Sequence, residues 1–495
     1  MSKASWCKKA PSLFLLCAAT AAGSSQQGFT TLVSFNGPNG FYPYGAPVRG
    51  TDGDLYGTTL FGGANNAGTV FKVTPTGALT TLYSFCSQAN CADGQYPGVG
   101  LVLGSDGSFY GTTGEGASES CGGGCGTVFK ITPEGVLATL HRFNVTDGFR
   151  PEGTLVQGTD GNLYGTTLNG GTAGTACGSS GCGVIFRITP AGALTTLHSF
   201  DGTDGWQPLA GLIQAADGDF YGTTELGPTG PIGVACNLGD GCGTVFKITP
   251  AGALTTLHSF DLLDGDFPAG GLIQGTDGNF YGTTGNGGAG GMCAYACGTV
   301  FKITPEGTLT TLHSFNLLDG ANPIAGLIQA SDGNLYGTTS SGGPNVYATP
   351  PADDGTVFRI TPAGVLTTVH SFDGSDGADP MAPLVEGAGS ILYGTTQSGG
   401  SSGDGTVFSL GLEAGPVVLV LPVSATVGQR VLILGIPGTT LTGATTVTFN
   451  GTPAAFTILT PSLVRASVPA GATSGTVLVT TPSGSIPSKL PFRVQ

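Results

Sequence analysis

Residues 211–260 read GLIQAADGDFYGTTELGPTGPIGVACNLGDGCGTVFKITPAGALTTLHSF, and this stretch decides the fold. Gly211 to Gln214 is a short apolar strand, A. Asp217-Gly218 supplies a tight hairpin turn, because Gly takes a positive φ without a Cβ clash. Phe220 to Thr224 is strand B, made of aromatic and β-branched residues that suit a pleated surface. A long loop leads to strand C, Thr244 to Thr249. Pro250-Ala251-Gly252 then turns the chain into strand D, Leu254 to Phe260.

The unit recurs along most of the chain. Tyr-Gly-Thr-Thr begins at Tyr56, Tyr110, Tyr164, Tyr221, Tyr281, Tyr336 and Tyr393, seven copies spaced 54 to 60 residues apart. Gly-Thr-Val-Phe ends at Phe71, Phe129, Phe246, Phe301, Phe358 and Phe408, with a Gly-Val-Ile-Phe variant at Phe186. Strand D closes at Phe35, Phe85, Phe143, Phe200, Phe260, Phe315 and Phe372. A lone strand D (Thr30 to Phe35) precedes the first strand A, and no strand D follows the last strand C. The strands therefore fill seven sheets of four. Radial repetition of such sheets is a β-propeller, which leaves only short edges; the N-terminal strand is expected to complete the seventh blade. An open solenoid is the alternative, and it would need capped ends.

Composition agrees. The 495 residues include 89 Gly and 31 Pro, only 9% are charged, and 39% are hydrophobic. Gly lacks the every-third-residue period of collagen, and the apolar content excludes a disordered acidic chain. A net charge of −15 with 16 basic residues disfavours an electrostatic nucleic-acid partner. Residues 1–22 read as a signal peptide: Lys3, Lys8 and Lys9, an apolar run from Leu13, and Ala19-Thr20-Ala21 as a small-x-small cleavage site. The run is too short to span a bilayer, so an extracellular, cell-surface or periplasmic protein without membrane insertion is expected. From 416 to 495 the repeat stops and short β-rich runs suit a small β-sandwich.

The runs Asp-Gly-Asn-Leu-Tyr-Gly-Thr-Thr (160–167) and Gly-Thr-Val-Phe-Lys-Ile-Thr-Pro (243–250) resemble the GloVer-type tandem repeat of "choice-of-anchor" exported bacterial proteins, over residues 29–412. The tail, with Gly428-Gln429-Arg430-Val431 and Val468-Pro469-Ala470-Gly471, is similar to the IPT/TIG immunoglobulin-like domain. Relatives often end in a sorting segment, whereas here the sandwich comes last. The repeat family brings no catalytic residues to transfer.

Ten cysteines remain beyond the signal, in five close pairs: Cys86/Cys91, Cys121/Cys125, Cys177/Cys182, Cys236/Cys242 and Cys293/Cys297. Four pairs sit in the loop before strand C, and Cys86/Cys91 follows a strand D. On an exported chain these read as disulfides. The rival is zinc held by two such pairs, which the separation of the pairs into different repeats argues against.

The A–B and C–D turns are minimal in every repeat, whereas the B–C loops and D–A links are long and variable. Variable loops on a rigid scaffold are where binding resides. The D–A links carry Phe41, Tyr42, Tyr96, Phe149, Trp206 and Phe267, with Arg150 among them. These residues are expected to form an arc for sugar faces or a protein partner, or alternatively to pack between blades. The histidines His141, His198, His258, His313 and His370 share one place in strand D and read as a structural tile. The non-repeated acids Glu115, Glu119, Glu225, Asp240, Asp353 and Asp354 are the candidates for glycosidic hydrolysis. Calcium at Asp201/Asp204 or Asp264/Asp266 lacks EF-hand spacing, and no cofactor motif is present. The reading is therefore a monomeric, non-enzymatic recognition or adhesion protein for a glycan or extracellular protein. A polysaccharide hydrolase or lyase and a structural envelope component are the alternatives.

Overall fold

A computed structural model describes residues 28–495, apart from 118–120, 122, 173–176, 228–235, 237–240, 290–292, 294–296, 345–353, 413–416, 437–439, 483 and 489. The expected signal peptide, Glu119, Asp240 and Asp353 lie outside the described residues.

Each repeat forms a four-stranded antiparallel sheet. In the fourth, Ile213–Gln214, Phe220–Thr224, Thr244–Ile248 and Leu254–Ser259 pair in that order. Strand A is two residues long rather than the expected four. Leu212 turns into the core, and Gly211 lies so close to the Thr154 backbone that a Cβ would meet it. Strand D carries a bulge opposite Val245 and Phe246, which sets the register of His258 and Ser259. Among the described residues seven such sheets precede residue 412, and the seventh is built as Phe29–Ser34, Thr406–Gly411, Ile391–Thr396 and Val385–Glu386. The N-terminal strand thus pairs with the last strand of the repeats.

Strands B and C are buried, whereas strand D alternates between half-buried and exposed positions. The motif residues explain this gradient. Gly222 is covered by the Phe246 ring, 2.7 Å from where a Cβ would stand. Tyr221 stacks on Phe280 of the next sheet at 4.1 Å. In six of the seven repeats the second threonine of Tyr-Gly-Thr-Thr faces the threonine that opens strand C, as Thr224 Oγ1 faces Thr244 Oγ1 at 2.8 Å; in the third, Thr167 Oγ1 accepts the Val184 N–H instead. The first threonine donates to a carbonyl of the following link, as Thr166 does to Ala210 at 3.0 Å. Apolar clusters therefore run from each sheet to the next. One joins Tyr221, Val245 and Phe260 to Leu272, Phe280 and Phe301. The last joins Val33, Phe35, Tyr393 and Val407 to Leu55, Phe71 and Val73 of the first complete repeat. The result is an all-β, propeller-like array of repeats.

Residues 417–495 form two further four-stranded sheets. Val417–Leu421, Arg430–Ile436, Leu463–Ser467 and Phe456–Thr460 make one, and Thr452–Pro453, Thr446–Phe449, Val477–Thr481 and Gly484–Pro487 the other. Both feed one core through Val418, Ile433, Val447, Val464, Val479 and Phe492.

Candidate functional site

The D–A links place every candidate ligand-binding residue, and all seven follow one path. Each contains Gly-x-x-Pro. The first variable residue bridges to the B–C loop of the sheet ahead: Phe41 to Phe61, Gln95 to Glu115, Phe149 to Asn169, Trp206 to Leu226, Asp266 to Asn286, Ala321 to Ser341 and Ala378 to Ser398. The second has a left-handed backbone in every link, at Tyr42, Tyr96, Arg150, Gln207, Phe267, Asn322 and Asp379, with φ between 54° and 63°. Its N–H reaches back to the sheet behind. Phe267 donates to Cys242 O at 3.3 Å, Arg150 to Cys125 O at 3.1 Å and Tyr42 to Asp404 O at 3.1 Å. Each link is a stitch between neighbouring sheets, and its proline rests on the glycine that opens strand C.

All five cysteine pairs are disulfide-bonded as local pairs: Cys86–Cys91, Cys121–Cys125, Cys177–Cys182, Cys236–Cys242 and Cys293–Cys297. Cys125, Cys182, Cys242 and Cys297 are also the residues whose carbonyls receive the next link, so those bridges fix the anchor points of the stitches. Cys91 departs from that pattern, as expected of a pair that follows a strand D. It ends a single 3-10 turn, Ala89–Cys91, inside the D–A link itself. The Asp93 carboxylate forms this turn by accepting the Ser87 and Gln88 N–H groups, and the Cys91 N–H donates to Gln88 O at 3.1 Å. Both Cys86 and Cys91 take left-handed backbones, with φ of 57° and 48°, and their Cα atoms stand only 4.0 Å apart. The Cys91 carbonyl receives Gly94 of its own link and Ala117 of the B–C loop ahead. This bridge therefore braces the link against the next sheet, whereas the other four hold the B–C loop.

Five disulfides point to an oxidising, extracellular environment. Among the described residues no helix is long and apolar enough to cross a membrane. The Cys236 and Cys242 sulfurs lie within 4.8 Å of the Asp266 carboxyl, but they are bonded to each other and offer no thiolate.

The aromatic side chains divide into two groups. Phe41, Tyr42 and Tyr96 gather with Phe61: Phe41–Tyr42 at 5.1 Å, Phe41–Phe61 stacked at 5.2 Å and Phe61–Tyr96 at 5.1 Å. All four are half-buried. Phe149 and Trp206 instead pack against the clusters between sheets, and Trp206 Nε1 is buried without a hydrogen-bond partner. Phe267 is half-buried against the neighbouring Gly285. Phe61 was missed by the sequence reading because it lies outside the links, although the other repeats carry Glu115, Asn169, Leu226, Asn286, Ser341 and Ser398 at its position.

A second group is electrostatic. Exposed Arg150 pairs with Glu152 at 2.6 Å. Burial, offset by Arg150 and reinforced by Glu115, raises the Glu152 carboxyl above its ordinary range. Burial, with Glu152 and Asp266 nearby, pushes Glu225 up to about 7. Buried Asp266 is raised to about 6, restrained by the Phe267 N–H. The Tyr44 phenol is raised by burial and by Glu152 and Glu225. Groups from the first complete repeat (Tyr44) and from the links and loops of the second to fifth thus sense one another. Glu152 and Tyr44 went unflagged because each follows the link proline, where the other repeats carry Gly98, Leu209, Ala269, Ile324 and Met381. Only their proximity to the other repeats distinguishes them.

The remaining candidates are committed to turns. Each histidine Nε2 meets an aspartate six residues on, His198–Asp204 at 2.7 Å and His258–Asp264 at 2.8 Å among them. Tyr83 meets Asp93 at 2.8 Å at the corresponding place in the first complete repeat. Asp201 accepts from the Thr203 N–H and hydroxyl, and the Asp354 carbonyl receives the Asp379 N–H.

Among solved structures, a fungal alcohol oxidase in complex with copper shares 13% identity, with 94% of this chain and 98% of that one covered at a TM-score of 0.48. A gluconolactonase from Xanthomonas campestris shares 15% identity over 58% of this chain and 78% of that one, at a TM-score of 0.34. A luciferin-regenerating enzyme shares 10% over 62% and 88%, at 0.35. Likenesses this distant carry no argument about activity. No curated protein matches the chain. The Gloeobacter/Verrucomicrobia repeat model matches residues 21–234, 123–347 and 290–432, three overlapping stretches that take in the whole repeat array. The chain belongs to the Gloeobacter/Verrucomicrobia repeat family.

Proposed function

We propose that this chain is an exported seven-bladed β-propeller over residues 29–412, closed by its N-terminal strand and followed by an immunoglobulin-like sandwich of the IPT/TIG kind over 416–495. Its role is non-enzymatic recognition of an extracellular glycan or protein on the B–C/D–A side. One observation carries the reading. Seven links hold a non-glycine residue at the same left-handed position, where an L-residue costs about 1–2 kcal/mol and glycine would not. The strain is retained seven times while the side chain differs among Tyr, Arg, Gln, Phe, Asn and Asp. A frame that keeps its backbone and varies its side chains is built to present them.

The half-exposed rings of Tyr42, Phe61 and Tyr96 offer flat apolar faces with phenolic hydroxyls at their edge, which suits a sugar ring. A glycan array and an envelope-polysaccharide pull-down test the reading. Tyr42→Ala combined with Tyr96→Ala should weaken binding by about 1–3 kcal/mol, while His258→Ala leaves affinity unchanged. Trp206→Ala should lower the melting temperature instead, because its ring fills an inter-sheet core. Equal affinity of the double variant and the parent for every bound glycan would remove the rings from the site.

The enzymatic reading retains one specific support. Glu225 near neutrality beside Glu152 is the kind of pair in which one carboxyl stays protonated to act as an acid. Incubation with a polysaccharide panel tests it: product release that Glu225→Gln abolishes would establish a hydrolase or lyase, and no release from any substrate would leave recognition alone.

A further inference from the structure

All 31 acidic residues precede residue 417, where twelve basic residues accompany them; beyond it there is no carboxylate side chain, and Arg430, Arg465, Lys489 and Arg493 are the charged side chains. The chain joins a strongly acidic array to a purely cationic module. The outer face of one module sheet concentrates that character. Val418, Val420, Val431, Ile433, Val464 and Ala466 point into the core, so the alternate residues point out. Along one row Leu421 pairs with Leu432, Leu432 with Arg465, and Arg465 with Thr457. In the parallel row Leu419 pairs with Leu434, and Leu434 with Leu463. Arg430 lies one step along from Leu432 on the same side. Leu421 is 44% and Leu432 40% exposed, and Arg430 and Arg465 are exposed beside them. Nothing among the described residues covers this face.

Two such faces cannot pair with each other, because arginines would meet arginines. An anionic bilayer would attract this face and repel the acidic array. The array itself offers the complement. Leu263, 69% exposed, sits between Asp261 and Asp264 in one link, and Leu318, 43% exposed, sits beside Asp319 in the next. These carboxylates are partly exposed and hydrogen-bonded within the link, Asp264 to His258 and Asp319 to His313, yet they leave an acidic, leucine-bearing rim that complements exposed leucines flanked by guanidinium groups.

We infer that the Leu421/Leu432/Arg430/Arg465 face of one copy docks on the Leu263/Leu318 rim of a second copy. The contact joins unlike surfaces, so it does not close into a two-fold dimer and propagates head to tail, into a ring where the rotation closes and into open chains where it does not. The rim lies in the D–A links, but the inference does not rest on the ligand-recognition reading above.

Sedimentation of the full chain tests this. The mean mass should rise with concentration at low salt and collapse to the monomer in 1 M salt, where the screening length is about 3 Å. Arg430→Glu combined with Arg465→Glu should abolish association while the melting temperature holds, and so should Leu263→Lys combined with Leu318→Lys. Mixing the two variants is the decisive step, since each retains the surface that the other lacks: a one-to-one dimer should form and go no further. A parent that stays monomeric at low salt would overturn the inference. So would a closed dimer insensitive to the Leu263/Leu318 change, or a mixture that stays monomeric. Flotation with phosphatidylglycerol vesicles, lost in the Arg430/Arg465 variant and unaccompanied by self-association, would assign the face to a membrane instead.

Discussion

The two sides of the repeat array share one scaffold and use it in opposite ways. On the short-turn side the same side chains return in nearly every repeat. Tyr221 donates to Asp217 at 2.7 Å, and Lys247 meets Asp217 at 2.9 Å and Asp219 at 2.7 Å while lying over the tyrosine ring. Tyr56–Asp52–Lys72 and Tyr110–Asp106–Lys130 repeat the pattern, and Arg187 and Arg359 stand near Tyr164 and Tyr336. On the link side the backbone repeats but the side chains change. Where packing is the same in every repeat the side chain is the same; at the varying link positions some side chains, such as Phe149 and Trp206, still pack between sheets, while exposed Arg150 and half-buried Tyr42 and Tyr96 do not enter those clusters. Among the described residues, the groups whose ionisation is displaced by neighbours from other repeats, Tyr44, Glu152 and Glu225, lie on the link side.

Removing Phe29–Phe35 is the harshest way to break the comparison, because both sides depend on the seventh sheet. It strips the outer strand from Thr406–Gly411 and takes Val33 and Phe35 from the last inter-sheet cluster. Calorimetry should show loss of the single cooperative transition of the array rather than a modest shift.

Gly243→Ala attacks the stitch alone. Its φ is +92°, and a Cβ there would stand 2.6 Å from Pro268 Cδ and against the Thr224 carbonyl. Backbone strain and overpacking together should cost about 2–4 kcal/mol in urea melts.

Glu225→Gln separates the sides by pH. The folded carboxyl titrates near 7, raised by burial first and by Glu152 and Asp266 next, against an ordinary 4.5. Between those values the folded state holds a proton that the unfolded state releases, so stability falls as pH rises from about 4.5 to about 7. The glutamine variant should flatten that fall, with a gain at pH 8 of no more than about 3 kcal/mol. An identical fall in both proteins would place the responsible groups elsewhere.

Replacing Cys236 and Cys242 by serine opens a small loop on the link side and should cost about 2 kcal/mol. The smallest effect belongs to the opposite side. Tyr221→Phe deletes one hydroxyl from one of several equivalent tiles and should cost about 1 kcal/mol. The same change at Tyr56 should add to it independently, since the tiles share no partner.

Much of this was legible in the sequence. The fourfold strand pattern, the orphan strand at Thr30 to Phe35, the local pairing of the cysteines and the tile character of the histidines all follow from residues close in the chain or from their recurrence at a fixed period. Such signals need no knowledge of how repeats meet. The turn that ends at Cys91 was not legible, because it occurs in one link alone and rests on the Asp93 carboxylate rather than on a recurring pattern. Nor was the division of the link aromatics: Phe149 and Trp206 occupy the same kind of sequence position as Phe41, and the neighbouring repeat decides how deeply each ring is buried. The grouping of Tyr44, Glu152, Glu225 and Asp266, residues as far as 222 positions apart, was hidden as well. Periodicity tells which residues are equivalent within a repeat. Which residues of different repeats face one another depends on the path of the links between sheets, and a carboxyl's proton affinity depends on that proximity and on burial, so only the tertiary structure decides it.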